Sequence, residues 1–126
     1  MASRIPIEFI IGNEIILEGE LRSILSPRTI DRILPIMPIK SRIHLWKSEI
    51  YFEIKIRMGS EKAVSTCEAG AIAYWPQGDA ICVFFEEMTP YSKVNPIGQL
   101  TSVDFKDRFP QIKPGMPIII RLLSEG

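Results

Sequence analysis

Gly70-Ala-Ile-Ala-Tyr-Trp-Pro-Gln-Gly-Asp-Ala-Ile-Cys-Val-Phe-Phe85 is the stretch that decides the fold. It reads as a β-hairpin. Ala71 to Trp75 forms the first arm, Pro76-Gln77-Gly78-Asp79 the turn, and Ala80 to Phe85 the second arm. Proline presets φ for a turn, and glycine accepts positive φ without steric cost. Both arms are rich in β-branched and aromatic residues, which suit a pleated surface. Pairing Trp75 with Ala80 sets Ala73 against Cys82 and Ala71 against Phe84. One face then carries small residues with Trp75 and Phe84. The other carries Ile72, Tyr74, Ile81, Val83 and Phe85. A hairpin that is apolar on both faces is a central element, not an edge.

The flanking text supplies more strands. Ile50, Phe52, Ile54 and Ile56 occupy one face of a strand, with Glu49, Tyr51, Glu53, Lys55 and Arg57 on the other, the pattern of a half-buried antiparallel strand. Arg42 to Trp46 reads as the strand before it, and Ala63 to Cys67 as a short strand after it. At the start of the chain, Ile5, Ile7, Phe9 and Ile11 form a core face. Gly12-Asn13-Glu14 turns the chain into a second strand carrying Ile15, Leu17 and Leu21. Ser26-Pro27 opens a helix with an Ile30, Ile33, Leu34 apolar face, which Pro35 ends. Ile36 to Ser41 is an extended connector. Glu86 to Lys93 is loop text, Ile97 to Leu100 a strand, and Val103 to Phe109 a short helix capped by Ser102. Pro117 to Leu123 is the final strand. About eight short strands with regular turns and two short helices predict a mostly β fold. We expect a single closed eight-stranded barrel, one domain over residues 1–126.

Composition bounds the function classes. The chain has 126 residues, 46% hydrophobic and 24% charged, which suits one folded domain rather than disorder. Lysine plus arginine equals aspartate plus glutamate at 15 each, so no electrostatic case arises for nucleic acid or an anionic membrane. No apolar run approaches the roughly 20 residues that span a bilayer. Glu8 interrupts the only stretch resembling a signal-peptide core, so a cytoplasmic location is expected. Abundant isoleucine with scarce asparagine and glutamine fits a heat-adapted source. Cys67 and Cys82 are expected as buried free thiols. A bridge between them is the lesser alternative, because the segment before Gly70 would have to fold back.

The residues also carry a resemblance. Glu49-Ile-Tyr-Phe52, Gly70-Ala-Ile-Ala-Tyr-Trp-Pro76, Gly78, Ala80-Ile-Cys-Val-Phe-Phe85, Thr89-Pro90, Ser92 and Val94-Asn95-Pro96-Ile97-Gly98 resemble the compact cyclophilin-like proteins of archaea and bacteria. That resemblance implies a cyclophilin-like barrel and, by analogy of fold, prolyl isomerisation. The chain departs from the family pattern in three places. Gln77 replaces a second proline in the turn, Glu86 replaces a glycine, and the loop between Ser92 and Val94 is short. Lowering the isomerisation barrier of about 18–20 kcal/mol calls for an apolar pocket and a donor, usually an arginine. Here strand three reads Arg42-Ile-His-Leu-Trp46 and does not match the arginine motif of true cyclophilins. Arg42 and His44 are the catalytic candidates that remain.

Trp46, Tyr51, Trp75 and Phe85 are the candidate ligand-binding residues, forming an aromatic set beside Arg42 and His44. A solvated sheet face competes with this reading for the Arg-His pair, and a simple hairpin staple for Trp46. Two cysteines and one histidine without ligand spacing argue against a metal. No nucleophile elbow or phosphate loop is present, so no cofactor is expected. The sequence thus points to a module that binds an extended peptide or small molecule in a shallow cleft between strands three and four, the central hairpin and the Thr89-Pro90 loop. Weak isomerase activity is the runner-up. A subunit role through an apolar patch at Ile36, Pro38 and Ile39 comes third.

Overall fold

The computed structural model describes residues 3–123. Nine strands lie in one sheet among the described residues, and every pairing is antiparallel. They are β1 (Arg4–Ile11), β2 (Ile15–Arg22), β3 (Ile39–Arg42), β4 (His44–Trp46), β5 (Glu49–Glu53), β6 (Ala71–Trp75), β7 (Ala80–Phe84), β8 (Asn95–Leu100) and β9 (Pro117–Leu122). Their order across the sheet is β3-β9-β1-β2-β8-β6-β7-β5-β4.

The two edges, β3 and β4, are consecutive in the chain and separated by Ile43 alone. One bent segment therefore pairs with β9 through its first half and with β5 through its second, and it closes the barrel. Ile43 turns its side chain fully inward, while its N–H bonds the Met116 carbonyl at 2.9 Å. Nine strands form where a closed eight-stranded barrel was expected, and the segment read as one strand over 42–46 supplies two of them, since it begins at Ile39 and breaks at this residue. Ser41 Oγ donates to the Glu53 carbonyl at 2.9 Å and ties β3 to β5 across the seam. Ile39 is buried in β3, so it cannot join Ile36 in an exposed apolar patch.

The hairpin has the register read from the sequence: Trp75 faces Ala80 and Ala73 faces Cys82. Ile72, Tyr74, Ile81, Val83 and Phe85 point into the barrel, where they join Ile7, Phe9, Leu17, Ile50 and Phe52. Ala73, Cys82 and Phe84 point outward into a second, smaller core with Cys67 and Val94. Two irregular segments cover that outer face. They are held together by paired backbone bonds, Val64 with Val94 (2.8 and 3.1 Å) and Cys67 with Met88 (2.9 and 3.0 Å). The expected strand at 63–67 is thus two isolated bridges.

β5 ends at Glu53, earlier than the alternation to Arg57 suggested, because Lys55 and Arg57 adopt positive φ of 61° and 52°. The apolar alternation survives, since Ile54 and Ile56 remain buried. Asp79, itself at φ 53°, takes the place of a ladder: its carboxylate accepts the Ile56 and Arg57 N–H groups at 3.0 and 2.9 Å. The same oxygen accepts the Tyr74 hydroxyl at 2.6 Å. Burial first, and then this bond, push the Tyr74 phenol up to about 12.

The helix α1 (Pro27–Ile33) starts where Ser26-Pro27 places it, but Ser26 makes no side-chain cap. The cap comes from Glu61. Its carboxylate accepts the N–H groups of Arg28 (3.0 Å) and Thr29 (2.8 Å) and the Thr29 hydroxyl (2.7 Å). Buried Asn95 holds this cap in place. Its Oδ1 accepts the Glu61 N–H at 2.8 Å, and its Nδ2 donates to Thr29 Oγ1 and the Gly59 carbonyl. Ser102 also does another job than expected: it accepts the Glu18 N–H at 2.7 Å, and the short helix α2 starts later, at Phe105–Arg108. Gly98 has no room for a side chain, since a Cβ there would lie 2.0 Å from the Glu20 carbonyl oxygen.

Burial works against ionising Glu61, yet the bonds from Arg28 and Thr29 and the Arg28 charge outweigh it and lower its pKa below the ordinary 4.5. Glu61→Gln is expected to lower stability by about 1 kcal/mol, the scale of a lost helix cap. The parent holds that advantage above pH 4.5 and loses it as pH falls through the lower native value. Urea denaturation at neutral and acid pH measures both, and equal stability at neutral pH would contradict the cap.

Candidate functional site

The outer face of β5, β6 and β7 builds the site. Residues alternate across a strand, so Glu49 and Tyr51 point outward while Ile50 and Phe52 point in. Glu49 lies between Trp46 of β4 and Phe84 of β7, and Tyr51 lies between His44 and Cys82. β6 adds Trp75. The segment from 86 to 94 then crosses over this face and contributes Pro90 and Tyr91. Together Trp46, Glu49, Tyr51, Trp75, Cys82, Pro90 and Tyr91 enclose a cavity of about 240 Å³.

The rings meet edge to face. Tyr51 and Trp75 have centroids 5.6 Å apart at 83°, and Tyr91 stands 6.1 Å from Trp75 and 6.2 Å from Trp46. Such pairs add about 0.5–1.5 kcal/mol beyond area burial, enough to hold the walls near one arrangement. Trp75 is fixed further, because its Nε1 donates to Ser92 Oγ at 2.6 Å. Its ring also lies on the hairpin turn. A Cβ on Gly78 would sit 2.2 Å from the indole, so the turn glycine makes room for this ring, while the positive φ falls on Asp79.

Among the described residues Glu49 is the one ionisable carboxyl in the cavity wall, and it is 4% exposed. Burial raises its pKa from 4.5 to about 7, against a hydrogen bond from the Cys82 thiol that lowers it. Burial likewise pushes the Cys67 thiol up to about 11 and that of Cys82 well above 9, with the Glu49 charge adding to both. Both cysteines are free, and such thiols stay protonated at neutral pH and make poor nucleophiles. The site can therefore hold an aromatic or cationic group and exchange a proton through Glu49.

The structure brings three of the four expected aromatic residues together: Trp46, Tyr51 and Trp75. Phe85 does not join them. It is 1% exposed on the inner face, with its ring 4.8 Å from Phe109 and 6.1 Å from Phe105. Its neighbour Phe84, on the outer face, packs in the second core instead. Arg42 and His44 stand outside this cavity. Arg42 donates to the Gly115 carbonyl at 2.9 Å, and both residues line a separate polar groove with Lys40 and Glu53. His44 reaches the site only indirectly, stacked on Tyr51 at 5.2 Å. Sequence reasoning placed the Thr89-Pro90 loop at the cleft, and Pro90 lines the cavity, but it missed Glu49, Cys82 and Tyr91. Glu49 shares the outer face of β5 with Tyr51, but the alternation of that strand carries no sign of the segments that cross over it and bury the carboxyl.

An acid whose native pKa is raised favours folding most fully below its unfolded value. Stability from Glu49 should therefore be highest below pH 4.5 and decline as pH rises toward about 7, then level off. Glu49→Gln is expected to flatten that decline in denaturation curves taken across this range. An unchanged slope would place the carboxylate in solvent.

Comparisons with known proteins bear on this fold. The solution structure of the hypothetical protein AF2241 from Archaeoglobus fulgidus is similar over 98% of both chains, with 26% identity and a TM-score of 0.79. The structure of McbB in complex with tryptophan is similar over 95% of this chain, with 13% identity and a TM-score of 0.80. This chain spans 45% of McbB, and at that identity the likeness speaks for the fold alone. No curated protein matches the chain. The model of the Cyclophilin-like family matches residues 4–121. By that match, and by its barrel, the chain belongs to the Cyclophilin-like family.

Proposed function

We propose that this protein is a binding module whose site is the cavity between β4, β5, β6 and the 86–94 segment. It takes a small molecule or one side chain of an extended peptide. The observation that carries this reading is the convergence of Trp46, Tyr51, Trp75 and Tyr91 on one cavity of about 240 Å³. Ligand sites are concave and largely apolar, with few polar groups that fix orientation. This cavity has that composition, with Glu49 as the polar group. Its volume falls below the roughly 300–1,000 Å³ of sites for drug-sized ligands, which favours a side-chain-sized occupant. The separate positions of Arg42 and His44 weigh for binding over prolyl isomerisation, since neither donor stands beside the apolar cavity.

Amide and indole shift mapping tests the reading, with free tryptophan, small amines and short proline-containing peptides as probes. Tryptophan is included because McbB, a fold relative, has been solved with it. Shifts are expected at the indole N–H groups of Trp46 and Trp75, and Trp75→Leu should remove them. No shift with any probe, or shifts confined to the groove of Lys40, Arg42 and His44, would overturn the assignment.

A further inference from the structure

We propose that the Trp46, Tyr51, Trp75 and Tyr91 cavity recognises an organic ammonium ion, with Glu49 as its counter-charge. This rests on the reading of the cavity as a binding site and names its ligand class. Glu49 is 4% exposed, lines the cavity and makes no ion pair among the described residues. A buried carboxylate without a cation is unfavourable, so an incoming ammonium ion supplies the charge that the fold leaves out. The walls suit the same occupant. Aromatic rings carry negative faces, and a cage of them is a recurring means of holding methylated amines. Lys47 already holds its ammonium 4.6 Å from the Trp46 ring centroid, so that ring attracts cations in this fold. No lysine or arginine lines the cavity to favour an anion.

Proton linkage follows from the surroundings of Glu49. The titratable groups near it are Cys82 from β7, Cys67 from the covering segment, Tyr51 on its own strand, Tyr91 from the 86–94 loop, and His44 stacked on Tyr51. Lys47 stands over the neighbouring Trp46. Both thiols remain neutral around pH 7, whereas the Glu49 carboxyl is divided between its two forms there. A bound cation draws it to the carboxylate and releases a proton.

Calorimetric and shift titrations of the full chain with choline and 3,3-dimethyl-1-butanol test this, because the alcohol has the same shape without the charge. Choline is expected to bind at least about tenfold more tightly. Its affinity should fall as pH drops below about 7, with an enthalpy that depends on the buffer because a proton is released. Glu49→Gln, checked for folding by circular dichroism, should lose the preference for choline. If that variant does not fold, buffer-dependent proton release by the unaltered protein decides. Equal affinity for the two probes, or a preference for choline that survives in Glu49→Gln, would overturn ammonium recognition by Glu49 while the cavity remained a binding site. Silence toward both probes, and toward tryptophan and the peptides, would overturn both readings.

Discussion

A hairpin with two apolar faces must be covered twice, and this requirement shapes the molecule. The inner face of β6 and β7 is covered by closing the sheet into a barrel. The outer face is covered by the 60–68 and 86–94 segments, which pair with each other through Val64, Val94, Cys67 and Met88. At the end of the sheet where Trp46, Glu49 and Tyr51 emerge, the second cover leaves a cavity beneath Pro90 and Tyr91. The site is that margin, walled by aromatic rings rather than filled by aliphatic ones. The same cover buries Glu49 and raises its pKa. Packing, cavity and electrostatics thus have one origin.

Irregular backbone surrounds the barrel, and two pieces of it are anchored by polar side chains. Asp79 gathers Ile56, Arg57 and Tyr74. Asn95 and Glu61 join the start of α1 to the 59–61 segment. Buried polar groups are costly unless bonded, and none of the buried side-chain polar atoms among the described residues lacks a partner. Two residues of the sequence motif, Asn95 and Gly98, therefore serve the frame: one bonds two segments to β8, and the other admits the close approach of β2.

Local pattern carried much of the fold. The faces of the hairpin followed from period two alone, and its register from the turn. β1, β2 and the start of α1 followed from alternation and from Ser26-Pro27. What stayed hidden was non-local. Nothing near Ile43 marks it as the break that lets one segment serve both edges of the barrel. The carboxylate that caps α1 lies 32 residues from Thr29. Phe85 was placed beside Trp75 by aromatic character, although strand parity sets it on the inner face. The burial of Glu49 stayed hidden because its cover comes from a loop whose path the sequence does not encode locally.

The most direct test of this account is the titration of the Glu49 side-chain carboxyl carbon by nuclear magnetic resonance in the unliganded protein. A midpoint at about 7 is predicted, as burial beneath the aromatic walls requires. A midpoint at the ordinary 4.5 would mean that the carboxylate faces water and that the outer face holds no built site.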